Sequence, residues 1–333
     1  MRASSVRVFM PAFHALHQPE RDFSDGIPGV PHPEVPSRVD RVLEGLSSVW
    51  QVETQGVRGM ALERVRSLHD ADYVSYLVDF SNDLSAGSQY VPTLFRPDLS
   101  RAPLGKRGGM FCEELGTPIG AHTVNAALNA AAAAEEAAAA VVAESLDTVA
   151  LVRPPGHHAG LRRYGGYCYF NNAYLAASVL SEHGRCGVLD IDYHLGDGSA
   201  EFASEQIPYF SLHADPWQCY PHLDAHWTPG SRHAVLETLP MGVDGEGYLE
   251  VLNSLVERID ALSLDYLVLS LGFDTLSGDA VQDEPVNVQA EDFEAVGHLL
   301  SWLRPRMVVL LEGGYDLERL AACAAAFATG FSR

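Results

Sequence analysis

The chain has 333 residues, of which 22 are basic and 44 acidic, for a formal charge of −22 at neutral pH. That surplus argues against binding to a phosphate backbone, which depends on clustered Lys and Arg. It is compatible with a cationic substrate, because a cleft of one sign focuses its field on the opposite charge.

The five cysteines (Cys112, Cys168, Cys186, Cys219 and Cys323) are scattered and form no CxxC pair, as expected of reduced thiols in a cytoplasmic protein. No signal-peptide pattern opens the chain, and no apolar run is expected to approach membrane-spanning length.

In chain order, residues 6–10 predict a strand that stops at Pro11. His, Pro and Gly then dominate to Pro36, which is loop chemistry. His32-Pro33-Glu34 and Arg38 lead into a helix whose apolar positions are Val39, Val42, Leu43 and Leu46. A second helix is expected from about His69 to Leu77. Residues 82–116 show no period and hold Pro92, Pro97, Pro103, Gly105, Gly108 and Gly109. An irregular stretch of that length is uncommon without a binding or lid role. Alanine, the best helix former, dominates 120–145 and predicts one long helix.

From there the pattern alternates. Strands are expected at 148–152, 186–192, 208–213, 265–272 and 307–311, and helices at 172–183, 248–262 and 317–329. Glycine- or proline-rich loops fill 154–166 and the stretch up to Gly230. Strands separated by helix-length segments imply a mostly parallel sheet with helices on both faces. No repeat or linker divides the chain, so a single α/β domain over 1–333 is expected.

The chemistry gathers where predicted strands end, which is where open α/β sheets bind ligands. The stretch 186–198 passes from an apolar run into Asp190, Asp192, His194 and Asp197. Asp192 and His194 lie two residues apart and point to one side of an extended backbone. A carboxylate and an imidazole there suit a divalent metal such as zinc, which takes three protein ligands and keeps one position open. Asp274 closes a fully apolar strand, where a carboxylate is costly unless paired or metal-bound, and supplies the third ligand.

After 148–152 come His157 and His158. Adjacent imidazoles can be tuned separately, one as base and one kept charged, if each has a carboxylate. Asp190 and Asp197 are the available partners. Glu312-Gly313-Gly314-Tyr315 follows the strand at 307–311, and its glycines allow the Tyr315 hydroxyl to reach a developing oxyanion. Each motif alone also has a structural explanation: a turn-capping histidine pair, a helix-capping aspartate, a packed tyrosine.

Together the motifs RPPGHH, DIDYH, GFD and LEGGY resemble those of the zinc-dependent deacetylases of the arginase–deacetylase fold, which include histone deacetylases and acetylpolyamine amidohydrolases. The resemblance runs from His32 to Tyr315, and Gly165 to Asn172 look most like the bacterial amidohydrolase branch. It implies zinc, with ferrous iron as an alternative, on Asp192, His194 and Asp274. It implies His158 with Asp197 as general base and then acid, His157 with Asp190 as electrostatic support, and Tyr315 on the acetyl carbonyl. Tyr167 and Tyr220 would wall the substrate tunnel, and Gly166 would offer its carbonyl to the substrate. A structural potassium ion is implied at Asp190, Asp192, His194, Ser211 and Leu212. The chain departs from relatives at Leu195, where many carry a second histidine, and at Asp197, where polyamine-type members often carry Asn or Gln.

The expected reaction is hydrolysis of an N-acetyl amide. The 82–116 segment, with Phe95-Arg96-Pro97, resembles a loop that reaches across a homodimer and narrows the mouth, which favours acetylpolyamines. Glu114, beside Glu113, would hold the distal ammonium, or both would be solvated loop carboxylates. The alternatives are an acetyl-lysine peptide deacetylase or a deacylase of another small amine. A binuclear ureohydrolase needs more carboxylates than Asp274 supplies, and a dead-site binder would lack a ligand or the tyrosine. Nucleic acid and membrane are not expected partners.

Overall fold

Eight segments pair into one sheet in the computed structural model, which describes residues 5–224 and 226–332. They are β1 (Ser5–Pro11), β2 (Gln51–Val57), β3 (Thr148–Ala150), β4 (Cys186–Asp190), β5 (Tyr209–His213), β6 (Ala234–Thr238), β7 (Tyr266–Leu271) and β8 (Arg306–Leu311). Their spatial order is β6-β5-β4-β7-β8-β3-β1-β2, and every pairing is parallel.

The four central strands are apolar along nearly their whole length, as parallel strands covered on both faces must be. Alternation then divides their side chains between two cores. Val188, Val268 and Val308 enter one, with helices α3 (Ala71–Asp83), α4 (Thr123–Glu144) and α5 (Asn172–Ser181). Leu189, Leu269 and Val309 enter the other, with α1 (Ser37–Val49), α7 (Gly245–Ala261), α8 (Asp292–Ser301) and α9 (Leu320–Phe331). Two short helices, α2 (Leu62–Leu68) and α6 (Asp197–Phe202), complete the described set.

The edge strands β2 and β6 have no counterpart in the sequence reading. Gln51–Val57 is mostly polar and exposed, so no apolar run marks it; β1 recruits it through backbone pairing. The expectation that no run approaches a membrane span needs correction. At 22 residues, α4 is long and apolar enough by composition alone, but 72% of its most apolar window is buried inside the protein. It is a core helix. All five cysteines are buried and free.

Residues 82–116 carry little regular structure. Gln89–Tyr90 pairs with Ile119–Gly120, and Leu104–Lys106 and Gly108–Met110 make single 3₁₀ turns.

A buried ion network fastens the start of α1 to the ends of β3 and β8. Glu34 Oε1 accepts from Arg38 Nη1 at 3.0 Å and from Arg153 Nε at 2.7 Å, with all three side chains fully buried. Arg38 also donates to the carbonyls of Glu312 (2.5 Å) and Gly314 (2.6 Å), the turn that leads to Tyr315. Arg153 donates to the carbonyls of His14 and Glu34. Burial alone would push the Glu34 carboxyl up, but Arg153 and then Arg38 outweigh it and hold the group down at about 2.

Removing one partner of a buried ion network leaves uncompensated charge, so Glu34→Gln should cost ~3–5 kcal/mol at neutral pH. The Glu34 contribution is fully present above the unfolded value of 4.5 and is lost as pH falls through about 2. Urea midpoints of both proteins against pH should therefore show a level gap above pH ~5 that narrows towards pH ~2. A gap independent of pH would contradict this account of the network.

Candidate active site

The sheet order places the carboxyl ends of β4, β7, β8 and β3 side by side, and each contributes to one cluster of polar side chains. The turn after β4 carries Asp192 and His194, and Asp274 follows β7. Glu312 to Tyr315 follow β8, and the loop after β3 carries His157 and His158.

Asp192, His194 and Asp274 converge, with one donor atom from each within 4.8 Å of the others. His194 Nδ1 lies 3.3 Å from both Asp192 Oδ1 and Asp274 Oδ2. Three of the four carboxylate oxygens are fixed by backbone N–H groups. Asp192 Oδ1 accepts from His194 (2.9 Å), Asp192 Oδ2 from Gly313 (2.7 Å), and Asp274 Oδ1 from Tyr193 (3.0 Å). Asp274 Oδ2 is buried and has no well-formed hydrogen bond, the His194 imidazole at 3.3 Å being the one donor near it. Burial and then the Asp192 charge push the Asp274 carboxyl up to about 7, whereas His157 and His194 hold Asp192 low against the effect of burial. Two buried carboxylates, one imidazole and an oxygen without a well-formed hydrogen bond fit a divalent cation. Position 313 must be glycine, since a Cβ there would overlap Asp274 Oδ2 and Asp192 Oδ2.

His157, Cys168 and Glu312 form a second buried group of possible ligands. It does not share the first group's need for a cation. Glu312 Oε2 accepts from the Gly156 and His157 N–H groups at 2.8 and 3.3 Å, and Oε1 accepts from the Ser270 hydroxyl at 2.9 Å. Glu312 thereby seats the histidine turn.

The two imidazoles stand 4.0 Å apart and are held differently. His157 Nδ1 lies 3.1 Å from Asp190 Oδ2, and its Nε2 lies 3.7 Å from Asp192 Oδ1. Against the effect of burial, the Asp192 and Asp190 charges raise it well above the ordinary histidine value. His158 Nδ1 lies 2.7 Å from Asp197 Oδ1. Burial and the neighbouring His157 lower it to about 3, so it is neutral at pH 7. A carboxylate only accepts, so Nδ1 carries the proton and Nε2 keeps a free lone pair. One histidine is charged and the other is available as a base.

Tyr315 is half-buried; its N–H donates to Asp279 Oδ2 at 2.7 Å, and Arg38 lies 4.3 Å from its ring centroid. Tyr167 meets Tyr315 edge-on at 5.8 Å and donates its hydroxyl to Asp22 Oδ2 at 2.6 Å. Tyr220 stands edge-on to His158 at 4.7 Å and to His194 at 6.0 Å. Its hydroxyl is buried without a partner. Gly166 has φ +51, and a Cβ there would strike the His158 ring. Ring contacts thus join His157, His158, His194 and Tyr220 in one group and Tyr167 and Tyr315 in another.

Glu114 lies behind Gly166. Its carboxylate accepts from the Gly116 N–H, the Thr117 hydroxyl, the Gly166 N–H (3.1 Å) and the Ser24 hydroxyl (3.4 Å). Glu113 is exposed and pairs with Arg163 at 2.5 Å. Ser211 and Leu212 lie on β5 with Ser211 in register with Asp190, and the Ser211 hydroxyl pairs with His213 Nδ1 at 2.8 Å. The Asp190 carboxylate is taken up by His157, the Tyr209 hydroxyl and the Asp192 N–H. Leu195, where many relatives carry histidine, is fully buried in the apolar core.

Sequence reasoning missed the parts played by Arg38, Glu312, Asp279 and Arg163. Glu312 had a legible signal, as a carboxylate directly after an apolar strand, like Asp274. The partners of Arg163 come from distant segments, and nothing local announces them.

Comparison with known proteins places these features in context. Residues 32–331 match the histone deacetylase domain. The acetylpolyamine amidohydrolase of Burkholderia pseudomallei is 33% identical over 333 residues, spanning 95% of this chain and 96% of that protein. The acetylpolyamine amidohydrolase of Mycoplana ramosa is 30% identical over 332 residues, again spanning 95% and 96%. A crystal structure of acetylpolyamine aminohydrolase from Burkholderia pseudomallei, from an iodide soak, matches with a TM-score of 0.89 at 29% identity and covers 98% of both chains.

Proposed function

The chain belongs to the histone deacetylase domain family, a family of deacetylase hydrolases, and from that premise we propose that it cleaves the N-acetyl amide of acetylpolyamines to the free amine and acetate. The observation that carries the reaction is the junction of Asp192, His194 and the unpartnered Asp274 oxygen beside two histidines of opposite protonation state.

Asp192, His194 and Asp274 would hold zinc, or ferrous iron in its place. When bound, such an ion acidifies water and polarises a carbonyl. His158 Nε2, unprotonated at neutral pH, takes a proton from the attacking water and returns it to the departing amine nitrogen. Asp197 keeps the His158 ring oriented by accepting its Nδ1–H. His157, held charged by Asp190 and Asp192, stabilises the negative charge that develops on the oxygens borne by the reacting carbon. Tyr315 donates its hydroxyl to the acetyl oxygen, and Tyr167 and Tyr220 flank the methylene chain. The Gly166 carbonyl faces the substrate. Asp190, Asp192, His194, Ser211 and Leu212 would hold a structural potassium ion.

The substrate class rests on three supports. The chain is acidic overall, its relatives across nearly the full length are named for acetylpolyamines, and residues 82–116 form a long irregular segment beside the cleft. Glu113 and Glu114 lie at the end of that segment, but Glu113 is paired with Arg163 and burial raises both carboxyls, that of Glu113 to about 8. With its oxygens already engaged, Glu114 contributes by seating Gly166. Leu94 and Phe95, each 38% exposed on that segment, are where a second copy of the chain would dock. Five free, buried thiols agree with a cytoplasmic location.

Acetylputrescine or acetylspermidine should exceed an acetyl-lysine peptide in kcat/KM by about tenfold or more, the worth of one charge-assisted contact. A preference for the peptide would reassign the enzyme to lysine deacetylation. Tyr315→Phe should lower kcat by about 10²–10³-fold with metal content unchanged, as for loss of one oxyanion donor. Ordinary turnover in that variant would remove the tyrosine from the mechanism.

A further inference from the structure

Arg163 lies outside the residues assigned above, yet three carboxylates converge on it. Its Nη1 donates to Glu113 Oε1 at 2.5 Å and to Asp197 Oδ2, and its Nε donates to Glu201 Oε1 at 2.8 Å. The backbone makes this convergence. Asp197 and Glu201 stand four residues apart on α6, so their side chains share a face and would repel without a cation between them. Glu113 arrives from the mouth segment: Tyr164 N–H donates to the Phe111 carbonyl at 2.8 Å, and Glu113 N–H donates to the Tyr164 carbonyl at 3.1 Å. Glu201 Oε2 also accepts the Leu161 N–H at 2.8 Å, which anchors the loop carrying Arg163.

Asp197 is thus divided between two donors. Oδ1 takes His158 Nδ1 and Oδ2 takes Arg163. With both oxygens claimed, the carboxylate cannot rotate without losing a bond, and the His158 ring it holds is fixed in turn. Asp197 and Glu201 are held by the same guanidinium that binds Glu113 at the end of the mouth segment.

We propose that Arg163 is a positioning residue for the His158–Asp197 pair and that, through Glu113, it makes turnover depend on the seating of the 82–116 segment. The planar fork of arginine suits this bridging, whereas lysine offers a single point charge. The inference rests on His158 being the proton-transfer residue.

The test is a kinetic cycle on the metal-loaded protein with acetylputrescine. Arg163→Gln should lower kcat by about 10- to 100-fold, the cost of a small misplacement of a catalytic group. KM should stay within about threefold, since Arg163 does not face the substrate. Arg163→Lys should recover part of the loss, and Glu113→Gln should lower kcat to a smaller degree. Asp197→Asn alone should also be impaired, and adding Arg163→Gln to it should cost nothing further, because the arginine acts through that carboxylate. Melting temperature and metal content are read for every variant, and Arg163→Lys carries the cycle if Arg163→Gln does not fold. Unchanged kcat in the Arg163 variants, or a loss that multiplies with that of Asp197→Asn, overturns the inference. Full activity in Asp197→Asn would instead sink the reading of the His158–Asp197 pair itself.

Discussion

The structure turns on two carboxylates buried together, Asp192 and Asp274, with only imidazoles to face them. Asp192 and Asp274 are fully buried at the ends of apolar strands, and a single imidazole faces both. Burial and then the Asp192 charge push the Asp274 carboxyl up, whereas His157 and His194 hold Asp192 low. Backbone N–H groups fix three of the oxygens and leave the fourth free. The ligand atoms of Asp192, His194 and Asp274 converge in the manner that suits a cation, and their neighbours hold them there.

The surrounding frame explains how such a cluster survives folding. Parallel strands covered on both faces give a rigid floor, and their adjacent carboxyl ends bring residues from four distant segments within a few ångströms. The Glu34, Arg38 and Arg153 network ties two of those ends to α1. Glu312 ties the histidine turn to β8. His157 and His158 are therefore each oriented by a carboxylate that is itself bonded, the condition for geometry held to fractions of an ångström.

Much of this was legible in the residues. The apolar runs of β4, β7 and β8 and the abrupt polar residues after them located both sheet and cleft, because a buried strand leaves little freedom in composition. The long alanine-rich helix was equally plain. Edge strands β2 and β6 were not, since half-exposed strands need no apolar run, and α8 lies beyond a loop with no clear period. Within the cleft, Asp192, His194 and Asp274 could be inferred from spacing and strand position. The engagement of Glu114 with Gly116, Thr117 and Gly166 could not, because it depends on how the mouth segment folds back. The same holds for Arg163, whose partners at 113, 197 and 201 meet only in three dimensions.

The most direct test of this account is metal titration of chelator-stripped protein beside Asp274→Ala, with bound zinc counted per chain. The account predicts one tightly held ion in the native protein and its loss in the variant, with the variant still folded by circular dichroism. Stoichiometric zinc retained by Asp274→Ala would contradict it, since the unpartnered Asp274 oxygen would then not be what completes the site.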